Sequence, residues 1–274
     1  MFLDKDAETE MPKPLVIQDR ENRAAAPELV IEGRIATIRL CNPNYANRLS
    51  PDDLRVLRNH LDTVNQNEDI LVLRFTAEGK YFCAGYDISA LAADDAPSSL
   101  FFGETIDLVE AARPVTIAAI NGGAYGGGTD LGLACDFRIG TEQANMFMPA
   151  ARLGLSFYPG GMSRYITRLG LNQAKRLFLT AEKIDADEML RIGFLTERVP
   201  AEKLLPRLDE FSALLAGMAP QALAGIKKHL NLIARGQVDI DDIEQRVHRS
   251  EASSDMAEGA LAWKEKRAPQ FNGK

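Results

Sequence analysis

Apolar residues recur along this chain at two spacings, and the change from one to the other divides it. Leu29-Val30-Ile31, Gly33 and Ile35-Ala36-Thr37-Ile38-Arg39-Leu40 form two β-rich runs about a short turn, which predicts a hairpin. Leu54, Leu57, Leu61 and Val64 then fall on one helical face. Ser50-Pro51-Asp52-Asp53 precedes that face with an N-cap, a proline for the first turn and early acids. Asp69 to Phe75 is a short apolar run closed by polar residues and Gly79, the pattern of a buried strand. Pro114 to Ile120 and Phe137-Arg138-Ile139 read as further strands, separated by a glycine cluster and the short apolar segment Leu131 to Ala134. Beyond Gly161 the β-like runs give way to helical periodicity over Ala174 to Thr180, Ala186 to Ile192, Ala201 to Leu215, Pro220 to Ala234 and Asp239 to Ala252. The expected division is a mobile extension over residues 1–27, a mixed α/β core carrying the active site over 28–205, and a helical oligomerisation region over 206–274. No repeat of fixed period is visible in the sequence, although a structural repeat without sequence echo stays open.

Composition narrows the functions. The chain has 274 residues, 46% of them hydrophobic and 26% charged, ample for a packed core. With 32 basic against 39 acidic residues the net charge is −7, so neither nucleic acid nor a membrane surface is an expected partner. No apolar run reaches the roughly 18 residues of a membrane helix, and Met1 to Arg20 has no apolar signal-peptide centre. The three scattered cysteines, Cys41, Cys83 and Cys135, form no Cys-x-x-Cys pair, which predicts a reducing, cytoplasmic compartment and no zinc knuckle. His60, His229 and His248 fall on three different helices without a metal-binding pair and read as surface residues, so no metal is expected. No G-x-S-x-G elbow supports a covalent hydrolase, and Cys83 reads as a small packing residue.

The richest stretch is Ile120 to Asp130, with five glycines between a strand and a short helix. Glycines let backbone amides come close to a ligand, and the N-terminus of the following helix favours negative charge. An anionic ligand or intermediate is one reading, and a tight strand-to-helix turn is the other. The dinucleotide fingerprint fails because Asn121 stands where its first glycine would fall, and no Walker lysine follows. A second, shorter glycine motif is Tyr81-Phe82-Cys83-Ala84-Gly85-Tyr86-Asp87-Ile88, just after the Ile70 to Phe75 strand.

Together these motifs carry a resemblance. Phe82-Cys83-Ala84-Gly85-Tyr86-Asp87-Ile88, then Pro114-Val115 leading into Gly126-Gly127-Gly128-Thr129-Asp130-Leu131, then Ala134-Cys135-Asp136-Phe137-Arg138-Ile139 resemble the crotonase, or enoyl-CoA hydratase/isomerase, superfamily. The likeness continues through Arg152-Leu153-Gly154-Leu155, Gly160-Gly161, Ala222 to Lys228 and Glu258 to Arg267, and covers residues 28 to 272. It implies an α/β fold of repeated ββα units wound into a spiral, with a helical C-terminal region that packs homotrimers, often paired into homohexamers. It also implies an enzyme that stabilises the enolate of an acyl-CoA thioester through the backbone N–H groups of Tyr86 and Gly127, an oxyanion hole. No cofactor is expected, since coenzyme A is part of the substrate. Ala84, Asp87, Ile88, Gly126 and Ala150 are expected to line the substrate site, and Lys266 and Phe271 to contact the adenine and phosphates of coenzyme A. The other basic residues, Lys227, Lys228, Lys264 and Arg267, read as solvated charges.

Hydratases of this superfamily use two glutamates about twenty positions apart. Here Asp130 stands at the first site and Ala150, directly after Pro149, at the second, so half of the carboxylate pair is missing. Dienoyl-CoA isomerases match no better, because their second-site glutamate and a further aspartate correspond to Ala150 and Tyr158. Asp130 is expected either to act as the acid/base group or to serve its helix dipole. Tyr158 is expected either to offer its phenol to the substrate or to pack as an ordinary aromatic. Hydratase or isomerase activity ranks first. Decarboxylation or thioester hydrolysis, and a non-catalytic acyl-CoA-binding role, are the alternatives that Ala150 leaves open.

Overall fold

Ser50 starts the first helix as its sequence requires. Its hydroxyl accepts from the Asp53 N–H, the Asp53 carboxylate accepts from the Ser50 N–H, and Leu54, Leu57, Leu61 and Val64 are buried along one face. The computed structural model describes residues 26–89 and 98–274. Most of the extension expected over residues 1–27 therefore lies outside the described residues. Pro27 is tied to the core, where His60 Nε2–H donates to its carbonyl at 2.8 Å.

The chain forms β1 (Glu28–Glu32), β2 (Ile35–Leu40) and α1 (Pro51–Gln66), and then a two-strand-and-helix unit recurs. First come β3 (Val72–Ala77), β4 (Tyr81–Cys83) and α2 (Ser99–Glu110). Next are β5 (Val115–Ile120), β6 (Gly123–Tyr125) and α3 (Gly127–Ala134), and then β7 (Phe137–Thr141), β8 (Asn145–Phe147) and α4 (Pro159–Leu169). After α5 (Leu171–Thr180), β9 (Ile184–Asp185), α6 (Ala186–Arg191) and β10 (Glu197–Val199), the chain is helical: α7 (Leu204–Ala216), α8 (Pro220–Ala234), α9 (Ile240–Glu251) and α10 (Ser254–Glu265).

From β3 onward each unit gives its first strand to a six-stranded sheet, ordered β1-β2-β3-β5-β7-β10, and its second to a four-stranded sheet, ordered β4-β6-β8-β9. Successive units thus stack in parallel, and the expected ββα spiral is present. All six positions of β5 are buried, as its continuous apolar run foretold. Side chains stitch one corner of the spiral to the next. Asn47 Nδ2 donates to the carbonyls of Glu78 and Tyr81 at 2.9 and 2.8 Å. Asn121 Nδ2 donates to Gly79 O at 2.8 Å, and Thr141 Oγ1 to Asn121 O at 3.1 Å.

Some elements depart from the sequence reading. The strands β4, β6 and β8 have three residues each, too few to show a period, and exist because neighbouring turns pair them. Helix α2 buries Phe102, Ile106 and Val109 but also Gly103, Thr105 and Glu110, which blurs its pattern. Helix α4 begins in Gly160-Gly161, a pair that resembles a loop in sequence, and α10 leaves Met256, Leu261 and Trp263 exposed. The helical region is also interrupted by β9 and β10, the latter completing the large sheet beside β7. Ala201 to Leu215 divides into a 3-10 turn over Ala201–Lys203 and α7.

The division at residue 205 passes through α7, whose Leu204, Leu208 and Leu215 pack on Leu71, Val72, Val115, Ile117 and Ile139 of the large sheet. Helix α8 inverts the usual helix pattern. It buries Lys227 and His229 and turns Ile226 and Leu230 outward, each 62% exposed. The reading of Lys227 as a solvated charge is corrected. Its ammonium meets Asp136 at 2.7 Å and donates to Pro114 O at 2.7 Å, and Asp136 in turn accepts from the Thr116 N–H. The surface reading of His229 is corrected as well. The ring is buried and Nε2 lies 2.9 Å from an Asp242 carboxylate oxygen. Because Lys227 leaves Asp136 without its charged partner when removed, Lys227→Ala is expected to cost about 3 kcal/mol of unfolding free energy in a urea titration. Lys228→Ala, in an exposed pair, is expected to cost under about 1 kcal/mol in the same titration.

Candidate active site

The first glycine motif leaves β4 through Ala84 and Gly85, the latter at φ +86°. Leu49 pairs with Tyr86: the Leu49 N–H donates to Gly85 O at 2.8 Å and the Asp87 N–H to Leu49 O at 2.9 Å. In that arrangement the amide of Tyr86 itself points to the other side of the strand. On the other edge of β4 lies β6, and from β6 the chain runs into α3. A Cβ on Gly85 would fall 2.5 Å from the amide nitrogen of Gly127, and one on Gly128 would fall 2.1 Å from Cys83 O. The two glycine motifs are therefore in backbone contact, which only the lack of side chains permits. Gly127 is the first residue of α3, so its N–H has no carbonyl within the helix to receive it.

Several other expected residues gather at this junction. Gly126, at φ +51°, donates its N–H to Phe147 O, and the space of its missing Cβ borders Ala84 O and the Pro149 ring. Ala150 follows Pro149 and is buried, so position 150 offers a methyl and no carboxylate. Cys83 is buried, donates its thiol to Asn47 O, and is held by burial up to about 12, in keeping with a packing role. Asp87 pairs with Arg48 at 3.2 Å and accepts from Ser89, and Ile88 is exposed. Lys266 and Phe271 belong to a separate cluster. Lys266 caps α10 in the left-handed conformation, the Phe271 ring borders Gly259, and Phe271 O accepts from Arg34.

Asp130 and Tyr158 are brought together, with each other and with Arg164. Asp130 has no exposed surface. Its Oδ2 accepts from the Tyr158 hydroxyl at 2.7 Å and from Arg164 Nη2 at 2.7 Å, and its Oδ1 from Arg164 Nε at 2.8 Å. Arg164, itself buried, also reaches Asp107 at 2.6 Å and Glu110 at 3.1 Å on α2. Arg168 meets Glu110 at 3.3 Å, and Arg235, at the end of α8, contacts both Glu110 and Asp107. Three carboxylates and three guanidiniums thus form one network across α2, α3, α4 and the end of α8. Burial alone would push the Arg164 guanidinium down, but the Asp130 and Asp107 carboxylates outweigh it and hold it above its ordinary value. Burial, reinforced by the Asp130 charge, raises the Tyr158 phenol well above its usual range.

The sequence reading missed Arg164 and Phe102. Phe102 of α2 lies between Tyr86 and Tyr158, with ring centroids 5.7 and 6.0 Å away. Its helical spacing with Ile106 and Val109 was a usable signal, whereas nothing local distinguishes Arg164 from a surface arginine. Among the described residues, no group of three or more His, Cys, Asp or Glu side chains is arranged to hold a metal ion.

A family model described as enoyl-CoA hydratase/isomerase matches residues 30–274. This chain belongs to that family. It is 33% identical over 252 residues to the crotonyl-CoA hydratase of Syntrophomonas wolfei, covering 89% of this chain and 96% of that protein. It is 33% identical over 219 residues to the short-chain-enoyl-CoA hydratase of Clostridium acetobutylicum, covering 77% and 82%. The enoyl-CoA hydratase of Bacillus anthracis superposes with a TM-score of 0.82 at 30% identity, over 91% of this chain and all of that one.

Buried acids that stay protonated in the fold make its stability fall with alkali. Cys83 and Cys135 are each held by burial at about 12 against an ordinary 9.0, so the folded state keeps protons that the unfolded chain gives up above pH 9. Each thiol is expected to remove on the order of 1 kcal/mol of stability between pH 8 and pH 10. Urea titrations at the two pH values measure this loss, and Cys135→Ala should shrink it by about one thiol's share.

Proposed function

We propose that this chain is an acyl-CoA enzyme of the hydratase/isomerase type, in which the thioester carbonyl oxygen accepts from the N–H groups of Tyr86 and Gly127. Negative charge builds on that oxygen as the enolate forms, and two preorganised amides, that of Tyr86 after β4 and that of Gly127 at the start of α3, stabilise it. Each such donor is worth roughly 3 kcal/mol, about a hundredfold or more in rate. The observation that carries the reading is the backbone contact between Gly85 and Gly127, which sets the turn that follows β4 beside the first residue of α3. Ala84, Gly126 and Ala150 border the bound thioester, and no cofactor beyond the coenzyme A of the substrate is called for.

Asp130 takes a positioning part in this reading. Three of the roughly four acceptor sites of its carboxylate are occupied by Arg164 and Tyr158, so it holds the first turn of α3 against α4. Tyr158 spends its one proton on Asp130 and is not the acid. The sealed Asp130 and the methyl at Ala150 favour a second reading, decarboxylation of an α-carboxylated acyl-CoA. There the bond to the carboxylate breaks, its electron pair passes into the thioester enolate held by the two amides, carbon dioxide leaves, and the α-carbon takes a proton. No base is needed at position 150.

The enzyme assembles as a homotrimer or homohexamer through its C-terminal helices. Support comes from α8, which turns Ile226, Leu230 and Ile233 outward while burying Lys227. A cytoplasmic location fits its three free cysteines. Light scattering is expected to give about three or six times the 30.1 kDa of the chain, and Leu230→Glu to release smaller species.

A panel of CoA thioesters decides the chemistry. Hydration or double-bond shift of an enoyl-CoA supports the first reading, and carbon dioxide release from a malonyl-type thioester the second. Gly85→Ala, whose methyl would press on the Gly127 nitrogen, is expected to lower kcat/KM at least about 10²-fold, while Tyr86→Phe stays within about tenfold. Equal losses in the two variants, or no deuterium from deuterated water at the α-carbon of any acyl-CoA or of its product, would remove the two-amide mechanism.

A further inference from the structure

Resting on the thioester position proposed above, we infer that Phe102 is the wall of the acyl pocket and restricts this enzyme to short acyl groups. Phe102 is only 1% exposed. A Cβ on Gly127 would lie 2.6 Å from Cε1 and from Cζ of its ring, so the ring edge is seated on the α-carbon of Gly127 itself. The same ring packs at a tilt of 52° against Tyr86 and of 51° against Tyr158. It therefore touches both residues whose amides receive the carbonyl oxygen, together with the tyrosine bound to Asp130. An acyl chain leaving a thioester carbon at that point meets an aromatic ring within its first few carbons.

The wall is also stiff, because α2 is held from three sides. Arg58 of α1 donates to Thr105 Oγ1 at 2.8 Å and to Phe101 O at 3.2 Å, and its guanidinium lies 4.1 Å from the centre of the Phe101 ring. Next to Phe102, a Cβ on Gly103 would fall 2.6 Å from the Tyr158 ring, so helix and tyrosine are already in contact. At its far end Asp107 and Glu110 are bound by Arg164, Glu110 also by Arg168, and both by Arg235. The helix cannot slide away to admit a longer chain, and the neighbouring rings leave Phe102 few rotamers. A ring so fixed discriminates by exclusion rather than by attraction.

Calorimetric binding of butanoyl-, hexanoyl-, octanoyl- and decanoyl-CoA to the full chain tests this, with Phe102→Leu and Phe102→Ala beside the parent. The parent is expected to bind butanoyl-CoA at least as tightly as octanoyl-CoA. In Phe102→Leu the order should reverse, each added methylene that enters the opened space bringing up to about fourfold in affinity. Phe102→Ala should extend the gain to decanoyl-CoA. If Phe102→Ala fails to fold, Phe102→Leu alone, checked by an unchanged far-UV spectrum and a cooperative melt, still reads the reversal. Butanoyl-CoA binding with the same length profile in parent and variants overturns the role of Phe102 and leaves the thioester reading standing. Failure of every thioester to bind the parent overturns both.

Discussion

The whole site depends on two stretches of backbone coming closer than side chains allow. At Gly85 a methyl would lie 2.5 Å from the Gly127 nitrogen, and at Gly128 one would lie 2.1 Å from the Cys83 carbonyl. Neither distance is tolerable for a carbon atom, so the end of β4 and the start of α3 can adjoin only as glycine against backbone. Their approach is set in turn by the spiral, which pairs β4 with β6 and delivers the helix start one turn later. The corner bonds of Asn47, Asn121 and Thr141 keep those turns in step, since a slip of one residue would carry Gly85 away from Gly127.

Around that contact the protein has buried charge in balance. Asp107, Glu110 and Asp130 face Arg164, Arg168 and Arg235, a group with no net charge and with its most buried members bonded at several atoms. Such a network adds little to stability over an apolar core of the same shape, but misplacing any member strands a charge out of water. It therefore holds α2, α3, α4 and the end of α8 in one arrangement. Two consequences reach the site: Asp130 is enclosed, and α2 is fixed with Phe102 against Gly127. The Asp130 carboxylate is out of contact with water and accepts three hydrogen bonds from Tyr158 and Arg164.

Legibility followed the range of each interaction. The hairpin, the capped first helix and the buried run of β5 were readable because caps and periods lie within a few residues of one another. The two glycine motifs were readable for the same reason, and their joint spelling pointed to the family. Three-residue strands were not, since pairing with neighbouring turns defines them. Lys227 and His229 misled because α8 is built inside out, with its polar side against the sheet and α9 and its apolar side exposed. A chain read alone assigns lysines to water, and only the position of Asp136 reverses that.

By itself the sequence determined the α/β class, the alternation of units, the helical C-terminal region and the glycines at which two backbones meet. These follow from propensity, periodicity and the absence of a Cβ, all properties of a residue and its near neighbours. Tertiary structure decided what Asp130 is bound to, what covers Gly127 and which face of α8 is buried. Asp130 and Arg164 stand 34 positions apart, and Lys227 and Pro114 113 apart. Charge pairing and burial depend on distance in space, and the wound chain brings such residues together without leaving a mark on the order in which they are joined.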